Sequence, residues 1–339
     1  MLALSLTAAR QFAFIEQEEP ASPSENEALI RVHAIGVCGT DVSGYLGKMP
    51  FIQFPRILGH ELGIEVISVG EGVANVQPGD RCSVEPYLNC GSCPPCLAGR
   101  TNCCETLQVL GVHCDGGLRR FIKVPAHKLH PANDLAYDQL ALVETLAIGC
   151  HAVNRGAPQA QETVLVLGAG PIGLSVIEFV LLTGAKLHVI EPNPARRTFL
   201  QKNYGIESTH AHTLIEPDAF FAANGGRGAD VIFDATGHPG SMSRCFEYAA
   251  FGARLVYVGI TSEAVTLPDP LFHRRELTLM ATRNAVPTDF TRILGLIREG
   301  HIKTTPWITH RTSFSAVPDQ FDGWLRPDSG VVKAMIEMD

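Results

Sequence analysis

The hydrophobic and polar positions of the chain change rhythm once, near residue 160. Before that point short apolar runs alternate with polar residues, the period of a half-buried strand. Gln11-Phe12-Ala13-Phe14-Ile15 has this alternation, and the segment Met1 to Arg10 before it reads as a first strand. Ala28-Leu29-Ile30-Arg31-Val32 and Gly63 to Val69 follow, and turn signals such as Gln77-Pro78-Gly79-Asp80 separate the runs. The pattern predicts an antiparallel, barrel-like β domain. After residue 160 the runs become continuously apolar, as in strands covered on both faces of a parallel sheet. Thr163 to Leu167, Lys186 to Ile190, Asp230 to Asp234 and Arg254 to Val258 are of this kind, and a helix is predicted from Pro171 to Thr183. Strands alternating with helices predict a doubly wound α/β sheet. The tail holds a predicted helix from Asp289 to Glu299 and a last apolar strand near Val331 to Ile336, and it is expected to return to the first domain. The expected division is 1–150 with 286–339 for the β domain, and 151–285 for the doubly wound domain.

At 339 residues the chain has room for two cores. A formal charge of −8 leaves no basic surplus to neutralise phosphates, so no nucleic-acid partner is expected. The longest apolar stretch, Gly173 to Leu182, is interrupted by Glu178 and falls short of the roughly 20 residues that span a bilayer. The first residues lack the basic flank of an export signal. No membrane partner is expected, and the expected location is the cytoplasm.

Gly168-Ala169-Gly170-Pro171-Ile172-Gly173 has the form G-x-G-x-x-G, and it follows a buried strand and opens a helix. In that context the first glycine makes the tight turn, the second admits a pyrophosphate, and the third lets helix and strand pack. The helix start offers free N–H groups and a positive dipole end to the phosphates. Glu191 ends the next strand, where a carboxylate can accept from both ribose hydroxyls and repel a 2′-phosphate. The expected cofactor is therefore NAD. Arg196 nearby could instead hold a phosphate or stack on adenine.

Five of the ten cysteines crowd into residues 90–104. Cys90-x2-Cys93-x2-Cys96-x7-Cys104 can wrap one tetrahedral Zn²⁺ with no free position, the signature of a structural site, here in a lobe near 88–106. Gly91, Pro94 and Pro95 permit the tight wrap, and Cys103 is a spare neighbour. Three further stretches carry metal-binding side chains: Cys38 in Gly36-Val37-Cys38-Gly39-Thr40-Asp41, His60 and Glu61 in Gly59-His60-Glu61-Leu62-Gly63, and Glu144 in Val143-Glu144-Thr145. One sulfur, one imidazole and carboxylates make a set that suits zinc with an exchangeable position.

With these motifs in this order, the sequence resembles the zinc-containing medium-chain alcohol dehydrogenases, in the branch of the polyol, sorbitol and threonine dehydrogenases. The likeness runs over nearly the whole chain. It implies a GroES-like catalytic domain joined to a Rossmann domain, two zinc ions per chain, and a homodimer or homotetramer. It also implies that Cys38, His60, Glu61 and Glu144 bind the catalytic zinc, the last directly or through water. Ethanol-type members carry cysteine at the position of Glu144. A substrate hydroxyl on such a metal becomes acidic enough to lose its proton. Thr40, two residues after Cys38 and on the same side of an extended segment, is expected to receive it. Thr236, Val258, Gly259, Ile260 and Arg283 match family positions that line the cofactor, and Tyr45, Phe51 and His113 match positions near the substrate. Where members read Asp-Gly-Gly-Phe-Ala-Glu-Tyr, this chain has Asp115-Gly116-Gly117-Leu118-Arg119-Arg120-Phe121, an arginine in place of the glutamate. The stretches Gly99 to Glu105, Gly111 to Gly117 and Thr282 to Ala285 look like those of bacterial L-galactonate and L-gulonate 5-dehydrogenases. That likeness implies a sugar-acid substrate, whose carboxylate an arginine fork among Arg119, Arg120 and Arg283 would grip. A neutral polyol is the alternative.

Overall fold

The computed structural model describes residues 1–206, 209–210, 216–326 and 328–338. The chain forms two units, Met1–Thr145 with Val286–Asp339, and Leu146–Ala285. Outward passage from one unit to the other occurs within the helix Tyr137–Gly156.

The first unit is built on β-strands. The opening alternation folds as a hairpin of Leu2–Ala8 with Gln11–Glu16, two strands where one pattern blends into the next. A larger sheet has the order Leu129–Pro131, Arg81–Val84, Glu61–Val69, Glu27–Gly36, Lys333–Glu337, Ile308–Ser313, with Phe121–Pro125 also paired to Glu27–Gly36. Glu27–Gly36 alternates buried and half-buried positions through Ala34, which is why its sequence reads with a period of two. Its inward residues Ala28, Ile30 and Val32 join Leu62, Ile64, Val66 and Val84 in one apolar core. The last strand pairs antiparallel with Glu27–Gly36 and brings Met335 opposite Gly36, which is itself opposite Glu61. Three strands from distant parts of the chain thus meet in one line.

The second unit is a six-stranded parallel sheet: Thr209–His210, Lys186–Ile190, Thr163–Leu167, Ala229–Asp234, Ala249–Tyr257, Thr278–Ala281. In order of occurrence this is 3-2-1-4-5-6, the arrangement of dinucleotide-binding sheets. Val164, Leu165 and Val166 are fully buried, as strands covered on both faces require. Helices Pro171–Leu181, Pro194–Tyr204, Pro217–Ala223 and Pro239–Arg244 each begin on proline, whose missing N–H costs nothing at a helix start. The first of them ends two residues before the predicted Thr183. Among the described residues no helix is long and apolar enough to cross a membrane.

Candidate metal and cofactor sites

Four cysteines of the lobe, Cys90, Cys93, Cys96 and Cys104, bring their sulfurs within 4.8 Å of one another. None is in a disulfide. Zn–S bonds of about 2.3 Å would place tetrahedral sulfurs about 3.8 Å apart, so the spacing fits a metal. Backbone geometry already favours thiolates here. The Cys93 amide donates to Cys90 Sγ at 3.4 Å and the Cys90 amide to Cys104 Sγ at 3.3 Å. Amide donors from Ser92 and Cys93 hold the Cys90 thiol down to about 5. Cys96 moves the other way, to about 11, with burial as the first cause. Leu97 beside it is 76% exposed, so little apolar packing orders this lobe.

The second cluster lies in the β unit. Cys38, His60 and Glu61 place donor atoms within 4.8 Å of one another. Cys38 precedes the helix Gly39–Tyr45, His60 stands just before the strand Glu61–Val69 that Glu61 begins, and Glu144, outside that spacing, sits in the helix Tyr137–Gly156. His60, Glu61 and Glu144 are all buried. Asp41, quoted in the Cys38 motif but assigned no role from sequence, organises the group. Its carboxylate accepts from the Cys38 amide at 2.9 Å and the Gly59 amide at 3.4 Å, and it lies 3.7 Å from His60 Nδ1. That nitrogen is buried and has no hydrogen-bond partner, with the Asp41 carboxylate as its nearest charge. Burial depresses the His60 pKa, but Asp41 and Cys38 outweigh it and raise it well above its ordinary value. A buried imidazole among anions attracts a cation, and a metal ion meets that demand with the ring neutral.

Two partners of the carboxylates escaped the sequence reading. Tyr87 is buried, and its hydroxyl donates to Glu144 Oε1 in a short hydrogen bond. Lys333 is buried too, and its ammonium donates to both oxygens of Glu61, at 2.7 and 2.8 Å. Burial pushes the Glu61 pKa up, yet the charge of Lys333 brings it below the usual carboxylate range. For Glu144 burial prevails and the pKa is raised. A lysine inside Val331-Val332-Lys333-Ala334-Met335-Ile336 was the available signal, because a charge in a buried apolar strand needs a buried partner.

Several expected site residues are placed otherwise. Thr40 does not lie on an extended segment. It stands in the first turn of the helix Gly39–Tyr45, half-buried, because the Asp41 carboxylate caps the Cys38 amide and starts the helix there. Tyr45 is a core residue, its ring 5.2 Å from Phe12 and 4.6 Å from Phe321. Phe51 is 54% exposed and lies 6.0 Å from the His113 ring, whose Nδ1 accepts from the Val109 amide. Arg119 spends its guanidinium on the carbonyls of Gly116 and Asp115 and on the Gln17 side chain, which makes it a framework residue rather than a free grip for a substrate carboxylate. Arg120 and Arg283 are exposed.

In the parallel-sheet unit, Gly168 has φ +87°, and a Cβ on Gly173 would fall 1.9 Å from the Gly168 carbonyl oxygen, so the turn admits no side chain at either place. Gly170, the residue before the helix, faces Arg196: a Cβ there would lie 3.5 Å from Arg196 Nη1. Pro171 and Ile172 form the first turn, half-buried. Glu191 is buried, and its carboxylate accepts from the Ala169 amide at 2.6 Å and the Asn193 amide at 2.8 Å, with Arg196 Nη1 3.7 Å away. Thr236 donates its amide and hydroxyl to Asp234 Oδ1, while Val258 and Gly259 donate their amides to the Asp234 carbonyl. Asp234 therefore anchors two of the expected cofactor-lining stretches. Ile260, on the second of them, is 78% exposed. Side-chain-free glycines at the turn and a buried carboxylate at the end of the next strand are the chemistry a dinucleotide needs, so these residues fit one.

The family profile described as "Alcohol dehydrogenase GroES-like domain" matches residues 24–134, and that described as "Zinc-binding dehydrogenase" matches residues 171–299. The L-galactonate-5-dehydrogenase of Escherichia coli (strain K12) is 36% identical over 95% of this chain and 94% of its own. The L-arabinitol 4-dehydrogenase of Aspergillus oryzae is 30% identical over 95% of this chain and 88% of its own. Among solved structures, that of the rspB dehydrogenase of Escherichia coli CFT073 with NADH superposes with a TM-score of 0.92 at 29% identity, covering 99% of both chains.

Proposed function

We propose, from the premise that this chain belongs to the zinc-type alcohol dehydrogenase family, that it oxidises an internal secondary hydroxyl of a sugar acid of the L-galactonate or L-gulonate type, at the 5-position, with NAD as acceptor. The zinc and nicotinamide chemistry is that of the family. The acid substrate is supported above all by one observation, the 36% identity along nearly the full length of an L-galactonate-5-dehydrogenase.

Cys38, His60 and Glu61, with Glu144 directly or through water, are the residues that would hold the catalytic zinc, and Cys90, Cys93, Cys96 and Cys104 the structural one. When bound, a zinc ion lowers the pKa of the substrate hydroxyl and the nicotinamide takes up the hydride. The protein's own part is positional. Asp41 aims His60, Tyr87 holds Glu144 by one oxygen, and the Thr40 hydroxyl, two residues after Cys38 and in the first turn of the helix rather than on a strand, receives the substrate proton and passes it toward water. Gly168, Gly170 and Gly173 cradle the pyrophosphate, and Glu191 stands at the adenosine ribose. With Glu191 in that place, kcat/KM for NAD should exceed that for NADP more than about tenfold, a difference of roughly 1.4 kcal/mol. Equal rates with the two cofactors would mean that Arg196 decides the contest.

A neutral polyol is the second reading, favoured by the engagement of Arg119 within its own loop and by the likeness to an L-arabinitol 4-dehydrogenase. Comparing kcat/KM for L-galactonate and L-gulonate with that for sorbitol, galactitol, L-arabinitol and L-threonine separates the two. The hexonates should lead. A neutral polyol ahead of every hexonate ends the acid reading and leaves the dehydrogenase intact.

A further inference from the structure

Lys333 interrupts an apolar strand and is buried to 1% exposure. An ammonium has three protons and accepts nothing. Those of Lys333 are shared among Glu61 Oε1 at 2.7 Å, Glu61 Oε2 at 2.8 Å, Thr145 Oγ1 at 2.9 Å and the Val37 carbonyl at 3.2 Å. The space for the Glu61 carboxylate is cut by Gly36, whose added Cβ would lie 2.0 Å from Glu61 Oε2. Strand register makes this arrangement reproducible, because Gly36 lies opposite both Glu61 and Met335, two residues beyond Lys333.

We propose that Lys333 is the positioning residue of the metal site: it competes with the metal for Glu61 and so keeps one coordination position exchangeable. The proposal rests on Cys38, His60, Glu61 and Glu144 being the metal-binding set. Cys38, His60 and Glu61 are the donors that converge, Glu144 standing outside that spacing; with Glu144 also bound, four protein donors would close a tetrahedral zinc site, whereas a dehydrogenase needs a position for substrate. Glu61 is near enough to close it, since one of its oxygens is within 4.8 Å of the Cys38 and His60 donors. The ammonium already holds both oxygens. A fixed positive charge at that distance makes Glu61 a weak donor that yields to the substrate hydroxyl. Lys333 touches no substrate, and its effect runs through Glu61.

The test compares the zinc-loaded wild type with Lys333→Met and Lys333→Arg. Lys333→Met frees Glu61 to bind firmly. Release of the catalytic zinc to a chelator should slow at least about tenfold, and kcat should fall by about the same factor with KM for NAD unchanged. With cobalt in place of zinc, the visible absorption should weaken as a further ligand joins the metal. Lys333→Arg retains the clasp and should stay near wild type in all three readouts. If Lys333→Met does not fold, Lys333→Gln takes its place, since it keeps a donor to Glu61 but removes the charge, with the same direction expected. Zinc release and cobalt spectra equal to wild type in a folded neutral variant would overturn the proposal and leave Lys333 a structural residue. Wild-type protein holding zinc only in the four-cysteine lobe would instead overturn the metal reading beneath it.

Discussion

Cys38→Ala should reduce turnover by at least about a thousandfold, because a lost Lewis acid forfeits several kcal/mol of charge stabilisation and each 1.36 kcal/mol is a factor of ten. Zinc content should fall from about two ions per chain to about one. The fold should survive. Cys38 is only half-buried, and the bond that starts the next helix runs from its backbone amide to Asp41, which alanine preserves. Metal analysis, steady-state rates and a thermal melt on one preparation check the three parts together. A variant with wild-type zinc content and undiminished turnover would remove Cys38 from the ligand set.

Cys93→Ala should do the reverse, lowering stability first. The residues around the four sulfurs are largely exposed and supply little apolar burial, so the metal is what orders the lobe. Losing one of four thiolates should release that zinc and lower the Tm by at least about 5 °C, the shift expected for roughly 2 kcal/mol in a domain of this size. Cys38-site zinc should remain, and at low temperature some activity with it. Two zinc ions in this variant, with an unshifted melt, would mean that Cys103 or another donor had replaced Cys93.

Residues that act locally were legible from the sequence. The four-cysteine lobe is one, because its sulfurs lie within fifteen residues and their spacing is nearly their geometry. The glycine turn is another: Gly168, Gly170 and Gly173 carry their conformational requirement in their identity. The alternating and continuous apolar runs were legible for the same reason, since strand burial follows directly from a period of two or from none. Boundaries were less so. The segment Met1 to Ile15 contains two strands, and its turn at Ala9-Arg10 uses a positive φ at Arg10 that the residue type does not announce.

Side-chain partnerships across the fold were decided by tertiary structure. Lys333 meets Glu61 across 272 residues, and Tyr87 meets Glu144 across 57. No spacing rule spans such distances. Only strand register and helix placement bring the groups together, and breaking a buried ion pair such as Lys333–Glu61 by removing one member costs about 3–5 kcal/mol. Tyr45 and Arg119 show the same lesson in reverse. Their residue types suit a substrate site, but the fold commits one ring to Phe12 and Phe321 and one guanidinium to nearby carbonyls. Sequence alone therefore determined which chemistry the chain carries, through ligand types, glycines and burial periods that act over a few residues. Tertiary structure alone decided which of those groups are free to act, because a buried charge or donor takes whichever partner the packed strands place within about 3 Å.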